Sequence, residues 1–270
     1  MDTYGKFSGR NIIYSHSQFP EGIPTKVEPH SHEICELIFW EDGDAEYLVE
    51  GKEYKLSKYS LIITRPGDRH RIRFRKKGNY KRYDILVEEK KLFRSINHII
   101  SNDIDVINFS GNRIVIQLFQ KMDFYCEHFE GDELERILIN LINEVFYNVH
   151  ISAEVDTCKE NPILKKALEY IQENLTTHID IEDLCHELYI SKSYLHKLFV
   201  KYLRISPKKY IVSKRLIMAQ RAIRAGEKPT IIYSDCGFSD YSSFWRDYKK
   251  HFGITPSEEQ NRNITHVIRS

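Results

Sequence analysis

Between residues 11 and 87 the apolar positions fall in short runs. LIFW, AEYLV, EYKLS, SLIIT, HRIRF and YDILV are separated by EDGD, EGK, RPGD and KKGN. Short runs bounded by glycine-bearing turns predict strands joined by hairpins, and so an all-β sandwich or barrel. The period then changes. KKLFRSINHII predicts a short helix; NRIVIQLFQKMDFYCEHF and DELERILINLINEVFYNV predict two longer ones. In the last, Leu134, Ile137, Leu138, Leu141, Ile142, Val145 and Phe146 recur at spacings of three and four. A stripe that wide demands a cover: a core by default, a second copy of the chain as the alternative. HISAEVDTCKEN lacks any apolar period and stops at Pro162, which predicts a linker. Beyond Pro162 every segment reads as helix.

Two of those helical segments share one plan. IEDLCHELYISKSYLHKLFVKYL breaks at Tyr189 to Ser191, with Leu184 and Leu188 before the break and Leu195, Leu198 and Phe199 after it. Ser191 is a good N-cap, and the helix it starts turns Lys192, Ser193, His196 and Lys197 away from the apolar stripe. A tight turn before a polar, basic second helix describes a helix-turn-helix. PTIIYSDCGFSDYSSFWRDYKKHFGITP repeats it, with CGFSD as the turn and Ser239 or Asp240 as the cap. Its second helix buries Phe244, Tyr248 and Phe252 and presents Tyr241, Ser242, Trp245, Arg246 and Lys249. Between the units lies KKYIVSKRLIMAQRAIRAG, ending at Gly226. About eighteen helical residues span ~27 Å, comparable with the ~34 Å of one DNA turn. A strut of that length can set two recognition helices into successive major grooves.

Charge supports this division. The 270 residues carry 40 basic and 39 acidic side chains, but from Glu160 onward there are 18 against 13, and before it 22 against 26. An acidic half followed by a basic half suits a nucleic-acid-binding module attached to something else. Cys35, Cys126, Cys158, Cys185 and Cys236 are scattered and form no Cys-x-x-Cys pair, so free thiols are expected. There is no run of about eighteen apolar residues and no apolar leader, so a cytoplasmic protein without a membrane span is expected. No phosphate loop, dinucleotide fingerprint or nucleophilic triad is present, which argues against an enzyme of those classes.

SKSYLHKLFVKYLRISPKKYIVSKRLIMAQ and CGFSDYSSFWRDYKKHFGITP closely resemble the DNA-binding domain of the AraC/XylS regulators. Gly237-Phe238, Asp240, Phe244, Arg246, Lys249, Phe252-Gly253 and Thr255-Pro256 match that family's signature. The resemblance covers about the last hundred residues. It implies base-edge contacts from Ser193, His196 and Lys197 in the first unit and from Tyr241, Ser242, Trp245 and Arg246 in the second. Lys201, Lys249 and Lys250 are then phosphate partners. Tyr189 and Arg204 stand where the family has glycine, which predicts two non-glycine residues at positive φ. After Pro256, SEEQNRN replaces the usual Tyr-Arg ending.

In the first half, PHSHEICELIFWEDG places His30, His32, Glu36 and Gly43 at the spacings of the first cupin motif, and Gly67 with His70 partly matches the second. His30, His32 and Glu36 share parity, so on a strand they face one side. With His70 they could form a three-histidine, one-carboxylate set suited to a divalent transition metal. The alternative is a polar effector pocket without metal, for which Trp40, Tyr47 and Arg65 are further lining candidates; aromatic faces with polar groups suit a carbohydrate.

The expectation is therefore a multi-domain chain: a cupin-like sensing barrel at 1–90, a helical dimerisation segment at 91–150, a linker at 151–161 and an all-α double helix-turn-helix at 162–262. Its expected activity is sequence-specific binding of double-stranded DNA, switched by a sugar or related metabolite. A homodimer and RNA polymerase are the expected protein partners. The competing readings are a metal-dependent cupin enzyme with a helical appendage, and a regulator without a small ligand.

Overall fold

The computed structural model describes residues 2–19, 28–75, 78–92, 104–152, 154–155 and 158–259, with 150–152 and 154–155 described by their backbone alone. The strands are β1 (Asp2–Ser8), β2 (Ile12–Phe19), β3 (Cys35–Asp42), β4 (Ala45–Val49), β5 (Lys52–Lys55), β6 (Ser60–Thr64), β7 (His70–Phe74), β8 (Tyr80–Val87), β9 (Val106–Asn108) and β10 (Glu154–Val155). One sheet runs β1-β2-β8-β3-β6-β9-β10 and faces a second, β5-β4-β7. Alternation along β3 divides two cores. Ile38 and Trp40 point between the sheets, among Tyr47, Tyr54, Ile62 and Tyr80. Leu37 and Phe39 point outward, to a core shared with two helices.

Those helices are α1 (Arg113–His128) and α2 (Gly131–Ser152). The Phe119 ring lies flat on Phe39, centroids 4.0 Å apart. Leu134, Leu138, Leu141, Ile142, Val145 and Phe146 are buried in the same core. The wide stripe is covered by the chain's own sheet. The first core thus continues from the sheet through α2, past the hairpins that end at Val87. Residues 89–91 form one 3₁₀ turn, and the remainder of the short helix expected there lies outside the described residues.

Four pairings differ from the sequence expectation. β1 pairs with β2 although its side chains are mostly exposed. β9 adds to β6, and β10 to β9. Within the expected linker, Lys159 exchanges backbone hydrogen bonds of 2.9 and 2.8 Å with Glu53. Backbone bonds carry these pairings, and β9, with Val106 and Ile107 buried, is too short for an apolar period to announce it.

The helical unit contains α3 (Pro162–Glu173), α4 (Ile181–Glu187), α5 (Lys192–Leu203), α6 (Pro207–Arg224), α7 (Pro229–Asp235) and α8 (Tyr241–Phe252). Ser191 Oγ accepts from Tyr194 N, and Asp240 accepts from Ser243 N, so both expected caps are made. Among the described residues no helix is long and apolar enough to cross a membrane.

Tyr189 and Arg204 have φ of 53° and 56°. The left-handed region costs a non-glycine residue about 1–2 kcal/mol, and Tyr189 is 96% exposed, so packing returns nothing. Tyr189→Gly should raise stability by about 0.5 kcal/mol after the unfolded-state entropy of glycine is subtracted. Thermal or urea unfolding reads this directly; a lower midpoint refutes strain as the dominant effect.

Candidate nucleic-acid interface and imidazole cluster

The helical unit presents one polar face from each capped helix. On α5, Leu195, Leu198, Phe199 and Leu203 are buried, while Ser193, His196, Lys197 and Lys201 are exposed. On α8, Phe244, Tyr248 and Phe252 are buried, while Ser242, Arg246, Lys249 and Lys250 are exposed and Tyr241 and Trp245 half-buried. Lys249 Nζ stands 5.1 Å from the Trp245 ring centroid. The Asp240 carboxyl, bonded by the Ser243 amide, is held below its ordinary pKa and stays an effective cap.

Arg246 Nη2 donates to Ser243 Oγ at 3.2 Å, a weak tether that leaves most of the guanidinium fork for a partner. The 18-residue α6 joins the two faces as one strut. Arg215, on α6, donates to Leu175 O at 2.8 Å and Thr177 O at 2.5 Å, bracing the strut against the first unit.

Val200 and Arg204 are exposed on the same side of α5 and were missed by the polar pattern. Hydropathy assigns a valine to the core. Here Val200 follows His196 and Lys197 by four and three residues, where an apolar group could meet a thymine methyl.

In the barrel, His30 and His70 are backbone partners, N to O at 3.1 and 2.9 Å. The ring nitrogens of His30, His32 and His70 lie within 4.8 Å of one another. Glu36 Oε2 is 3.0 Å from His70 Nε2 and 3.7 Å from His32 Nε2. All four expected residues are thus brought together. Each imidazole turns Nδ1 to a backbone carbonyl: His30 to Glu28 O at 3.2 Å, His32 to Ile34 O at 2.9 Å, His70 to Asp68 O at 2.9 Å. A carbonyl can only accept, so the proton sits on Nδ1 and a neutral ring keeps its Nε2 lone pair.

Nε2 of His32 and of His70 are buried and make no hydrogen bond of normal geometry. Orphaned imidazole nitrogens, oriented from behind by carbonyls and facing a carboxylate, fit a divalent transition metal. Burial opposes ionisation of Glu36, but the imidazoles of His32 and His70 hold its carboxyl well below the usual range. Burial also lowers His30, aided by His70. At His32 burial lowers the pKa, and the Glu36 carboxylate more than reverses it.

The weaker lining candidates separate. Tyr47 borders the cluster: its ring centroid is 6.3 Å from His70, and its hydroxyl bonds Thr64 Oγ1 at 2.7 Å. Trp40 is fully buried, stacked on Tyr80, with Nε1 bonded to Gly43 O, and so acts as core. Arg65 binds Asp105 at 2.5 Å and Ile104 O at 2.8 Å. It borders a cleft of about 180 Å³ between the barrel and α3, with Lys52, Leu164 and Leu168.

Two family models match. Residues 23–110 match the AraC-like ligand binding domain, and residues 184–262 match a helix-turn-helix domain. The HTH-type transcriptional regulator GbdR of Pseudomonas aeruginosa is 31% identical over 143 residues, covering 49% of this chain and 39% of its own length. The lactose operon transcription activator of Staphylococcus xylosus is 24% identical over 226 residues, 80% of each chain. The raffinose operon regulatory protein RafR of Pediococcus pentosaceus is 32% identical over 126 residues, 45% of this chain and 46% of its own. The crystal structure of ToxT from Vibrio cholerae O395 aligns over 95% of this chain and 98% of its own, at 15% identity and a TM-score of 0.40.

Proposed function

This chain belongs to the AraC family of transcriptional regulators, and on that premise we propose that it reads a specific double-stranded DNA site and is switched by a small molecule in its barrel. The observation that carries the DNA reading is the pair of exposed polar faces on α5 and α8, each backed by a buried apolar face and joined by one 18-residue strut. Ser193, His196, Lys197, Tyr241, Ser242, Trp245 and Arg246 read base edges, while Lys201, Lys249 and Lys250 hold phosphates and fix register.

The sensing site in this reading is the cluster of His30, His32, Glu36 and His70, with Tyr47 and Thr64 beside it. Those side chains would hold a divalent transition metal, which would supply a Lewis-acidic centre for ligand oxygens. The lactose and raffinose names of two relatives support a carbohydrate effector. A homodimer that recruits RNA polymerase as an activator completes the proposal. The cluster alone would also serve a metal-dependent cupin enzyme; the paired helix faces have no use in that reading.

The test is a salt titration of binding to fragments of the source genome, followed by footprinting of the retained sites. Sequence-selective binding should weaken steeply with salt, and Lys249→Ala or Lys250→Ala should each reduce the log–log salt slope by about 1 without altering site preference. A chain that grips no duplex selectively, with or without sugars present, sinks the proposal.

A further inference from the structure

The loop from Arg65 to His70 belongs to two structures at once. His70 is part of the imidazole cluster, and its Nδ1 is bonded to Asp68 O at 2.9 Å. The side chains just before it face the helical unit. Asp68 Oδ1 is 3.4 Å from Lys214 Nζ, and the same ammonium lies 2.7 Å from Glu50 Oε1. Tyr210 donates to Glu50 Oε2 at 2.6 Å. Arg69 Nε donates to Leu203 O at 2.6 Å. Leu203 ends the first recognition helix, where the last carbonyls have no partner within the helix.

The docking is close as well as charged. Gly67, at φ +88°, would bring a Cβ to 3.3 Å from Ile217 Cγ2. Tyr210, Lys214 and Ile217 fall at i, i+4 and i+7 on α6, so one face of the strut is given to the barrel. Arg221 with Glu89 at 2.5 Å and Arg224 with Glu33 at 2.8 Å continue that seam. Apart from the half-buried Tyr241 and Trp245, the side chains placed at DNA stay exposed, so docking leaves the reading faces open and fixes where they stand.

A half-broken contact is unfavourable here. Lys214 is enclosed with two carboxylates, and removing one partner leaves buried charge without compensation. Such a seam has two arrangements, docked and released, rather than a continuum.

We propose that the Arg65–His70 loop is the mechanical link from the sensing cluster to the first recognition helix. Three successive residues, Asp68, Arg69 and His70, hold the strut, the end of α5 and the cluster, so an occupant that repositions His70 must shift or stiffen the other two contacts. The link rests on the reading of the imidazole cluster as the sensing site.

Zinc ion alone, added to the full-length chain, tests it by two readouts: calorimetric binding, and hydrogen exchange of amides at the end of α5 and the start of α6. In the unmodified chain zinc binds, His70→Ala abolishes binding, and exchange in that segment slows by about fivefold or more. Arg69→Ala and Lys214→Met retain zinc affinity and lose the slowing; Lys214→Arg restores it. If Lys214→Met does not fold, Arg69→Ala decides alone, because Arg69 is only partly buried. Zinc binding with unchanged exchange, or a full response in Arg69→Ala, overturns the link and leaves the sensing site standing. No zinc binding by the unmodified chain overturns the metal reading of the cluster and the link with it.

Discussion

Phe244→Ala is expected to open the second helix-turn-helix while the barrel stays folded. Phe244 is fully buried, with ring centroids of Phe238, Tyr248 and Tyr241 at 5.1, 5.5 and 5.8 Å. Truncating a buried phenylalanine costs about 3–5 kcal/mol, and no neighbouring ring can rotate into a hole of that size without losing its own contacts. The core it anchors is small and separate, built from Leu216, Ile217, Ala219, Ile223, Cys236, Tyr248 and Phe252. A loss of that size is a large share of the ~5–15 kcal/mol that holds a whole domain together. Hydrogen exchange should show α7 and α8 losing protection while β3 and β8 keep theirs. Uniform loss of protection through both halves would mean that the two cores unfold as one.

Arg246→Ala is expected to leave the fold intact and to weaken binding at the specific site by about 5- to 150-fold, the equivalent of ~1–3 kcal/mol of base discrimination. The side chain is exposed, and its hydrogen bond to Ser243 contributes little stability. The Arg246 guanidinium, near the Asp240 carboxylate and tethered to Ser243 Oγ, is poised at the exposed face of α8 for the two acceptors of a guanine edge. Fluorescence anisotropy at one fixed salt concentration, on specific and scrambled duplexes, separates the outcomes. The substitution should erode the ratio between the two, whereas Lys249→Ala should weaken both alike. Unchanged discrimination in Arg246→Ala removes that residue from the reading face.

The docking seam bears on how these effects would combine. α6 packs on the first helix-turn-helix through Tyr210 and Ile211, on the second through Leu216, Ala219 and Ile223, and on the barrel through Lys214. Its sequence is therefore constrained on three sides. A substitution on the barrel-facing side, such as Lys214→Met, should couple energetically with one at Arg69, because both act on one contact surface. Phe244 and Arg69 share no partner and should be additive.

Local interactions decided much of this protein, and those were readable along the chain. Glycine-bearing turns between short apolar runs set β3 to β8, and Ser191 and Asp240 cap α5 and α8 through bonds spanning three residues. Positive φ at Tyr189 and Arg204 followed from where each turn must reverse. Parity along β3 turns Glu36 to the side of Ile38 and Trp40, but His30 and His32 precede that strand, so the shared strand parity expected of the three is not what gathers them. What the sequence left open was settled by contacts between residues far apart in the chain. The stripe on α2 needed a cover, and only the packed sheet supplied it from within the same chain. Trp40 became core instead of pocket because the second sheet closes over it, and His70 reached His30 only through strand pairing. β1 keeps its side chains mostly exposed and is held by backbone bonds, and β9 is only three residues long, so neither shows an apolar period although Val106 and Ile107 are buried. The ionic seam between Glu50, Asp68 and Lys214 joins residues about 150 positions apart. A lone lysine on a helix reads as solvated until a second domain folds against it and withdraws the water.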